Sequence, residues 1–134
     1  MELTQIERTV SETLGQRPER FVAAYAFGSF ARGTAGPHSD VDVAVLYAEA
    51  PPRTLDGAGF DIEAALQKQL GRPVQLVTLN YAPVDLVHRV LRDGKLVINS
   101  DPSRRIAFEV QARNAFFDLE PHLRRYRRYG GRAS

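Results

Sequence analysis

The chain has 134 residues, a length typical of one domain with a single hydrophobic core. It has no cysteine and no apolar run of about 18 residues, which excludes disulfide frameworks, cysteine-ligated metal sites and a membrane-spanning helix. The net charge of +2 conceals a division of charge. Residues 1–100 carry 10 basic and 12 acidic side chains, whereas residues 101–134 carry 8 and 4, and all eight are arginine.

The first half of the chain predicts one helix followed by two strands. A helix is expected over about residues 3–14, where apolar residues recur on one face: Leu3, Ile6, Val10 and Leu14. The apolar stretch Phe21–Phe27 predicts a strand that runs directly into Gly28-Ser29. Turn-forming residues occupy Thr34–Ser39, and a second strand is expected over Asp40–Tyr47, with Val41 and Val43 facing the core.

The second half predicts alternating helices and strands. We expect a helix over about 55–70, a strand over 73–79, a helix from Pro83 to Gly94 and a short strand over 96–98. Asp101-Pro102 is typical of a helix start, and the helix that follows carries Ile106, Val110 and Phe117, with a kink or restart at Pro121. The predicted fold class is therefore α/β (α+β), a small mixed sheet flanked by helices, in one domain over residues 1–134.

The stretch from Gly28 to Asp42 contains the candidate chemistry. Residues i and i+2 of a strand point to the same side, so Asp40 and Asp42 present two carboxylates together. Adjacent carboxylates repel one another, and a divalent cation between them removes the repulsion. Mg²⁺ is commonly bound by one or two carboxylates together with substrate phosphates. Asp40 and Asp42 are therefore the candidate metal ligands and catalytic residues.

Gly28-Ser29 supplies a candidate phosphate site at the end of the preceding strand. Glycine allows the backbone to approach a ligand closely. If residues 30–32 begin a helical turn, Ser29 would be its N-cap, and its hydroxyl and nearby N–H groups could bind a phosphate. Arg32 could add a bidentate phosphate contact. A phosphate site facing a metal-binding carboxylate pair is suited to phosphoryl or nucleotidyl transfer.

One pattern resembles the signature of the nucleotidyltransferase superfamily that includes DNA polymerase beta. It consists of Gly28-Ser29, ten intervening residues and then Asp40-x-Asp42. Within that superfamily the sequence resembles the minimal nucleotidyltransferase (MNT) family, from about Phe21 to Arg128. The features that carry this resemblance are the short chain and the segments GSFARG, PVQLVTLN and KLVINSD. The resemblance implies a nucleotidyltransferase fold that binds ATP and Mg²⁺, often as an antitoxin paired with a HEPN-domain RNase toxin. It implies transfer of AMP to a toxin tyrosine, with Gly28 and Ser29 holding the triphosphate and Asp40 and Asp42 the metals.

One position departs from the family pattern. The family normally carries a third carboxylate on the following strand, and the matching position here is Gln75, within Val74–Leu79. A neutral amide cannot accept a proton and is a poorer Mg²⁺ ligand than a carboxylate. Asp61 or Glu63 on the preceding helix could replace it, although their spacing does not indicate this. Nucleotide binding and catalysis are therefore separate predictions.

Three functions stay open from the sequence. The favoured one is an adenylyltransferase that neutralises a HEPN toxin; the second is an antitoxin with impaired catalysis that acts by binding. The third and least favoured is a nucleotidyltransferase acting on a small molecule. The Arg-rich and Tyr-containing segment 122–134 is a solvated tail, a docking segment for the protein partner or, less favoured, an RNA contact. The N-terminus lacks a secretory signal, so the cytoplasm is the expected compartment.

Overall fold

The computed structural model describes residues 1–53 and 58–129, excluding the side chains of residues 58 and 122–129. Its elements are α1 (Leu3–Gly15), β1 (Phe21–Phe27), α2 (Gly28–Arg32), β2 (Val41–Tyr47), α3 (Ala58–Leu70), β3 (Val74–Thr78), α4 (Val84–Asp93), β4 (Lys95–Asn99) and α5 (Pro102–Tyr129). The predicted α/β fold class, with a small mixed sheet and flanking helices, is confirmed. None of the described helices combines the length and apolar composition needed to cross a bilayer.

The four strands form one sheet in the order β3-β2-β1-β4. β1 lies antiparallel to both β2 and β4, whereas β2 and β3 are parallel and are joined through α3. All seven residues of β1 are buried, because this central strand is covered on both faces. That position explains why its sequence, FVAAYAF, contains no charged residue.

Helices cover the two faces of the sheet and divide the core into two clusters. α1 and α3 cover one face, where their apolar residues pack against Val41, Val43 and Val45 of β2. α4 and α5 cover the other face, against Ala44 and Leu46. Because side chains alternate along a strand, Asp42 belongs to the face that α4 and α5 cover.

The outer edge of β3 is covered by two polar side chains of α3. The side-chain oxygen of Gln67 accepts the N–H of Val74 at 3.2 Å, and Glu63 accepts the N–H of Leu76 at 2.9 Å. An unpaired strand edge is a site for unwanted pairing, and these contacts occupy two of its free donors. Glu63 is therefore committed to the strand backbone.

The long helix α5 is anchored to the sheet near its start. The Asp101 carboxylate accepts the N–H of Arg104 at 3.2 Å, as expected of an N-cap, and Glu109 accepts the Tyr25 hydroxyl at 2.7 Å. The helix continues through Pro121 to Tyr129, so the restart considered at that proline is wrong. The predicted segment 122–134 falls outside the described side chains. The apolar residues singled out for this helix, Ile106, Val110 and Phe117, are exposed and do not pack on the sheet.

Candidate active site

The residues of the predicted site meet at one edge of the sheet. In the β1–β2 pair Phe27 lies opposite Asp42, which brings Gly28, the next residue, beside that aspartate. In the β2–β3 pair Gln75 lies opposite Asp42 on its other side. The end of β1 and the starts of β2 and β3 therefore form one edge, which we call the site edge.

Gly28 lies so close to Asp42 that any side chain at this position would force the carboxylate to move. Its φ is +75°, a conformation that side-chain-bearing residues rarely adopt. A Cβ atom added at Gly28 would lie 2.0 Å from Oδ2 of Asp42. The backbone at the end of β1 is thus placed directly against the Asp42 carboxylate.

The charge of Asp42 is only partly compensated within the chain. Burial raises the pKa of Asp42, and the neighbouring negative charge of Asp40 raises it further, while Arg32 acts in the opposite direction. Arg32 is about half exposed, and its guanidinium is 3.9 Å from the Asp93 carboxylate at the end of α4. A bound cation at the two aspartates would supply the missing positive charge.

Ser29 does not cap the short helix α2 as expected from the sequence. The N-cap is Phe27, in extended conformation, and the helix begins at Gly28, whose φ is positive, two residues earlier than predicted. Ser29 lies in the first turn, and its carbonyl accepts the N–H of Thr34 at 2.9 Å. Its hydroxyl makes no hydrogen bond to the described part of the chain, so it is available to a ligand.

Arg72 fixes the loop that leads into Asp40, a role that the sequence did not reveal. Its guanidinium donates to the carbonyls of Pro37 and Ser39, each at 3.3 Å, and lies 5.4 Å from the ring centre of Phe30. The one signal was its place just before β3, whose start lies beside the start of β2. Arg72 therefore links the loop, α2 and β3.

Neither alternative carboxylate replaces the one absent at Gln75. Glu63 accepts the backbone N–H of Leu76. The negative charge of Asp61 acts on Arg17, outside the site, and helps to raise the pKa of that guanidinium. Among the described residues, no group of three or more His, Asp or Glu side chains could hold a metal ion. The site edge thus offers two carboxylates, and its oxygen donors suit a hard cation such as Mg²⁺ bound together with phosphate oxygens.

Comparison with known protein families matches most of the chain. Residues 9–103 match the family model described as polymerase beta, nucleotidyltransferase. The chain belongs to this nucleotidyltransferase family. The match includes Gly28, Ser29, Arg32, Asp40 and Asp42.

The chain is also similar to individual members and solved structures. It is 33% identical over 90 residues to Protein adenylyltransferase MntA of Shewanella oneidensis, covering 66% of this chain and 62% of that protein's length. A chain in the crystal structure of a toxin-antitoxin with AMP-PNP is 26% identical with a TM-score of 0.73, covering 91% of this chain and 92% of that one. A chain of the toxin-antitoxin MntA-HepT, 23% identical with a TM-score of 0.68, covers 93% and 92% and shows the shared fold.

Proposed function

We propose that this nucleotidyltransferase is an antitoxin that transfers AMP from Mg-ATP to a tyrosine of a partner HEPN-domain toxin and so neutralises it. The observation that carries the proposal is the packing of Gly28 against Asp42, with Asp40 beside them. It leaves two incompletely neutralised carboxylates next to a backbone turn that a ligand can approach closely. A metal-binding carboxylate pair beside a phosphate site is the minimal equipment for nucleotidyl transfer.

In this proposal each group of the site edge has a separate task. Asp40 and Asp42 hold Mg²⁺, which when bound neutralises phosphate charge and polarises the α-phosphate. The backbone at Gly28 and the free hydroxyl of Ser29 hold the triphosphate, and Arg32 adds positive charge. The acceptor tyrosine oxygen forms a bond to the α-phosphorus, the bond to the β-phosphate oxygen breaks, pyrophosphate leaves, and the hydroxyl proton passes to solvent.

The comparisons support the choice of nucleotide and of partner. The relative from Shewanella oneidensis is described as a protein adenylyltransferase, and the toxin-antitoxin structure similar to this chain contains AMP-PNP. The HEPN toxin and its tyrosine follow from the family resemblance. Since such a toxin acts on RNA inside the cell, the cytoplasm is the proposed compartment.

The test is transfer of label from α-labelled ATP to the purified HEPN toxin that this proposal takes as the partner. We expect labelling with the wild type and Mg²⁺, and none with Asp42→Asn, because that change removes a metal-binding charge. Asp85→Asn, at an exposed position of α4 on the opposite end of the sheet, is the matched control and should label as wild type. Absence of labelling with the wild type would refute the proposed transfer.

A second function, neutralisation by binding alone, is favoured by Gln75. It occupies the position directly opposite Asp42, where a third carboxylate would complete a two-metal site. Under this alternative the Asp40→Ala/Asp42→Ala double variant still protects cells from the toxin. Loss of protection, with the fold retained by circular dichroism, would rule out binding alone and favour transfer.

A further inference from the structure

α5 exposes a row of large apolar side chains on one face. Ile106 is 51% exposed, Val110 49% and Phe117 66%. Their spacing of four and seven residues places them along one side of the helix. We call these three residues the outer face of α5. Among the described side chains, they make up half of the large hydrophobic residues that are exposed.

The outer face is not a poorly packed part of the core, because a different side of α5 contacts the body of the protein. Phe108 and Ala112 pack into the core cluster beneath α4 and α5. Phe116 stacks on His88 of α4 with ring centres 3.6 Å apart and planes 3° apart. Glu109 is held by Tyr25 and by Arg105. With α5 fixed in this way, no rotation of the helix could bury the outer face. Several large exposed apolar side chains on one side of a helix are typical of an interaction site.

Positive charge borders the outer face. Arg113 lies between Val110 and Phe117 on the helix, and Arg92, at the end of α4, borders the same hollow as Phe117. Both side chains are more than half exposed, and both are paired within the chain, Arg92 with Asp93 and Arg113 with Glu109. Each of these carboxylates is shared with a second arginine, Arg32 or Arg105, so positive charge remains in excess. The segment that follows in the sequence adds further arginines. A partner that covers this surface therefore presents apolar side chains surrounded by carboxylates.

The course of α5 connects this surface with the site edge. α5 begins at the opposite end of the sheet, where Arg104 donates to the carbonyl of Ala48 at the end of β2. α4 runs in the same direction and ends at Asp93, which reaches Arg32 of the site. From the His88–Phe116 contact, α4 continues for about 8 Å and α5, to Tyr129, for about 20 Å at 1.5 Å per residue. The helix that carries the outer face thus extends past the site edge.

We propose that the outer face of α5 is the surface on which the acceptor protein docks, through a helix with an apolar stripe flanked by carboxylates. A helical partner fits because Ile106 and Val110, four residues apart, form a ridge of the kind that packs into the groove of another helix, and Phe117 lies seven residues further along the same side. This inference rests on the proposed function, since it takes the transferred group's acceptor to be a protein. Docking along α5 would hold that acceptor beside the site edge.

The test measures binding of the HEPN toxin taken as the partner under the proposed function, purified separately, by isothermal titration calorimetry. The variants are Ile106→Glu/Phe117→Glu and the milder Phe117→Ser, and the matched control is Phe60→Glu, at an apolar residue of α3 that is two-thirds exposed on the other face of the sheet. We expect affinity to fall about 30-fold or more for the double variant, the loss typical of an interface hot spot. The control should bind as wild type, and all three variants should keep the wild-type Tm and affinity for ATP.

The other outcomes overturn the inference in distinguishable ways. Toxin binding that is equal for wild type and the outer-face variants would show that the partner docks elsewhere, while the proposed function stands. If light scattering shows that the wild type is a dimer and the double variant a monomer, the surface would be assigned to a second copy of this chain. Binding of a single-stranded RNA oligonucleotide that the double variant abolishes would assign it to RNA. No binding of the toxin to wild type would refute the proposed partner and the docking surface together.

Discussion

Replacing Gly28 by alanine changes the site through two separable physical effects. Gly28 has φ +75°, and a residue with a Cβ atom in this left-handed region costs about 1–2 kcal/mol. The new Cβ would also lie 2.0 Å from Oδ2 of Asp42, so the carboxylate must move, at a further cost of about 1–3 kcal/mol. We therefore expect Gly28→Ala to lower the free energy of unfolding by about 2–5 kcal/mol.

Gly33 provides a matched control for the backbone effect. Its φ is +76°, but a Cβ added there has no atom within 4 Å, so Gly33→Ala carries the backbone cost without the contact with Asp42. In urea unfolding, the free energy of unfolding of Gly28→Ala should be about 1–3 kcal/mol lower than that of Gly33→Ala. Calorimetry should show Mg-ATP affinity reduced about tenfold or more by Gly28→Ala alone, because only that change displaces the carboxylate. Equal stability and unchanged nucleotide affinity in both variants would refute the close approach of Gly28 to Asp42.

Three further changes test the electrostatics of the site and of the α5 anchor. Asp42→Asn removes a partly buried charge next to Asp40. Urea unfolding should therefore show that the free energy of unfolding of the ligand-free protein rises by up to about 1 kcal/mol, although Mg-ATP binding is lost. Gln75→Asp should lower ligand-free stability and tighten Mn²⁺ binding measured by electron paramagnetic resonance, whereas Gln75→Asn should do neither. Tyr25→Phe should cost about 1–3 kcal/mol, because it removes the hydrogen bond to Glu109. Burial acts to raise the pKa of Glu109, but hydrogen bonds from Tyr25 and Arg105 outweigh it and the pKa is lowered. The stabilisation from these hydrogen bonds is therefore present at pH values above the pKa of glutamate in the unfolded chain, near 4.5, and is lost as the pH falls below that value. The loss of stability caused by Tyr25→Phe should accordingly become smaller in acid.

Much of the fold could be predicted from the sequence because local signals agreed with the tertiary structure. Phe21–Phe27 was predicted with the observed bounds, since this apolar run is buried on both faces and ends at a glycine. α5 shows where local signals were insufficient. Two of its sides carry apolar residues, and helical periodicity alone does not tell which side packs. The Tyr25–Glu109 hydrogen bond and the Phe116–His88 stack decide this, and both depend on residues distant in sequence.

The residues of the candidate site could be predicted from the sequence, whereas the contacts between them could not. The spacing of Asp40 and Asp42 predicts a shared face because both lie at one strand start. The contact between Gly28 and Asp42 depends on the register of β1 against β2, and the place of Gln75 depends on the register of β3. Strand register is set by side-chain packing across the sheet, which a single sequence does not display. The assignment of Ser29 as an N-cap failed because the backbone turns at Gly28.

The most direct test of nucleotidyl transfer is the intact mass of the HEPN toxin after incubation with this chain, ATP and Mg²⁺. If this chain transfers AMP, the toxin gains the mass of one or more AMP units. This gain should require both Asp40 and Asp42, and replacing the acceptor tyrosine with phenylalanine should abolish it. A toxin that binds the wild-type chain tightly but keeps its original mass would contradict nucleotidyl transfer and leave neutralisation by binding.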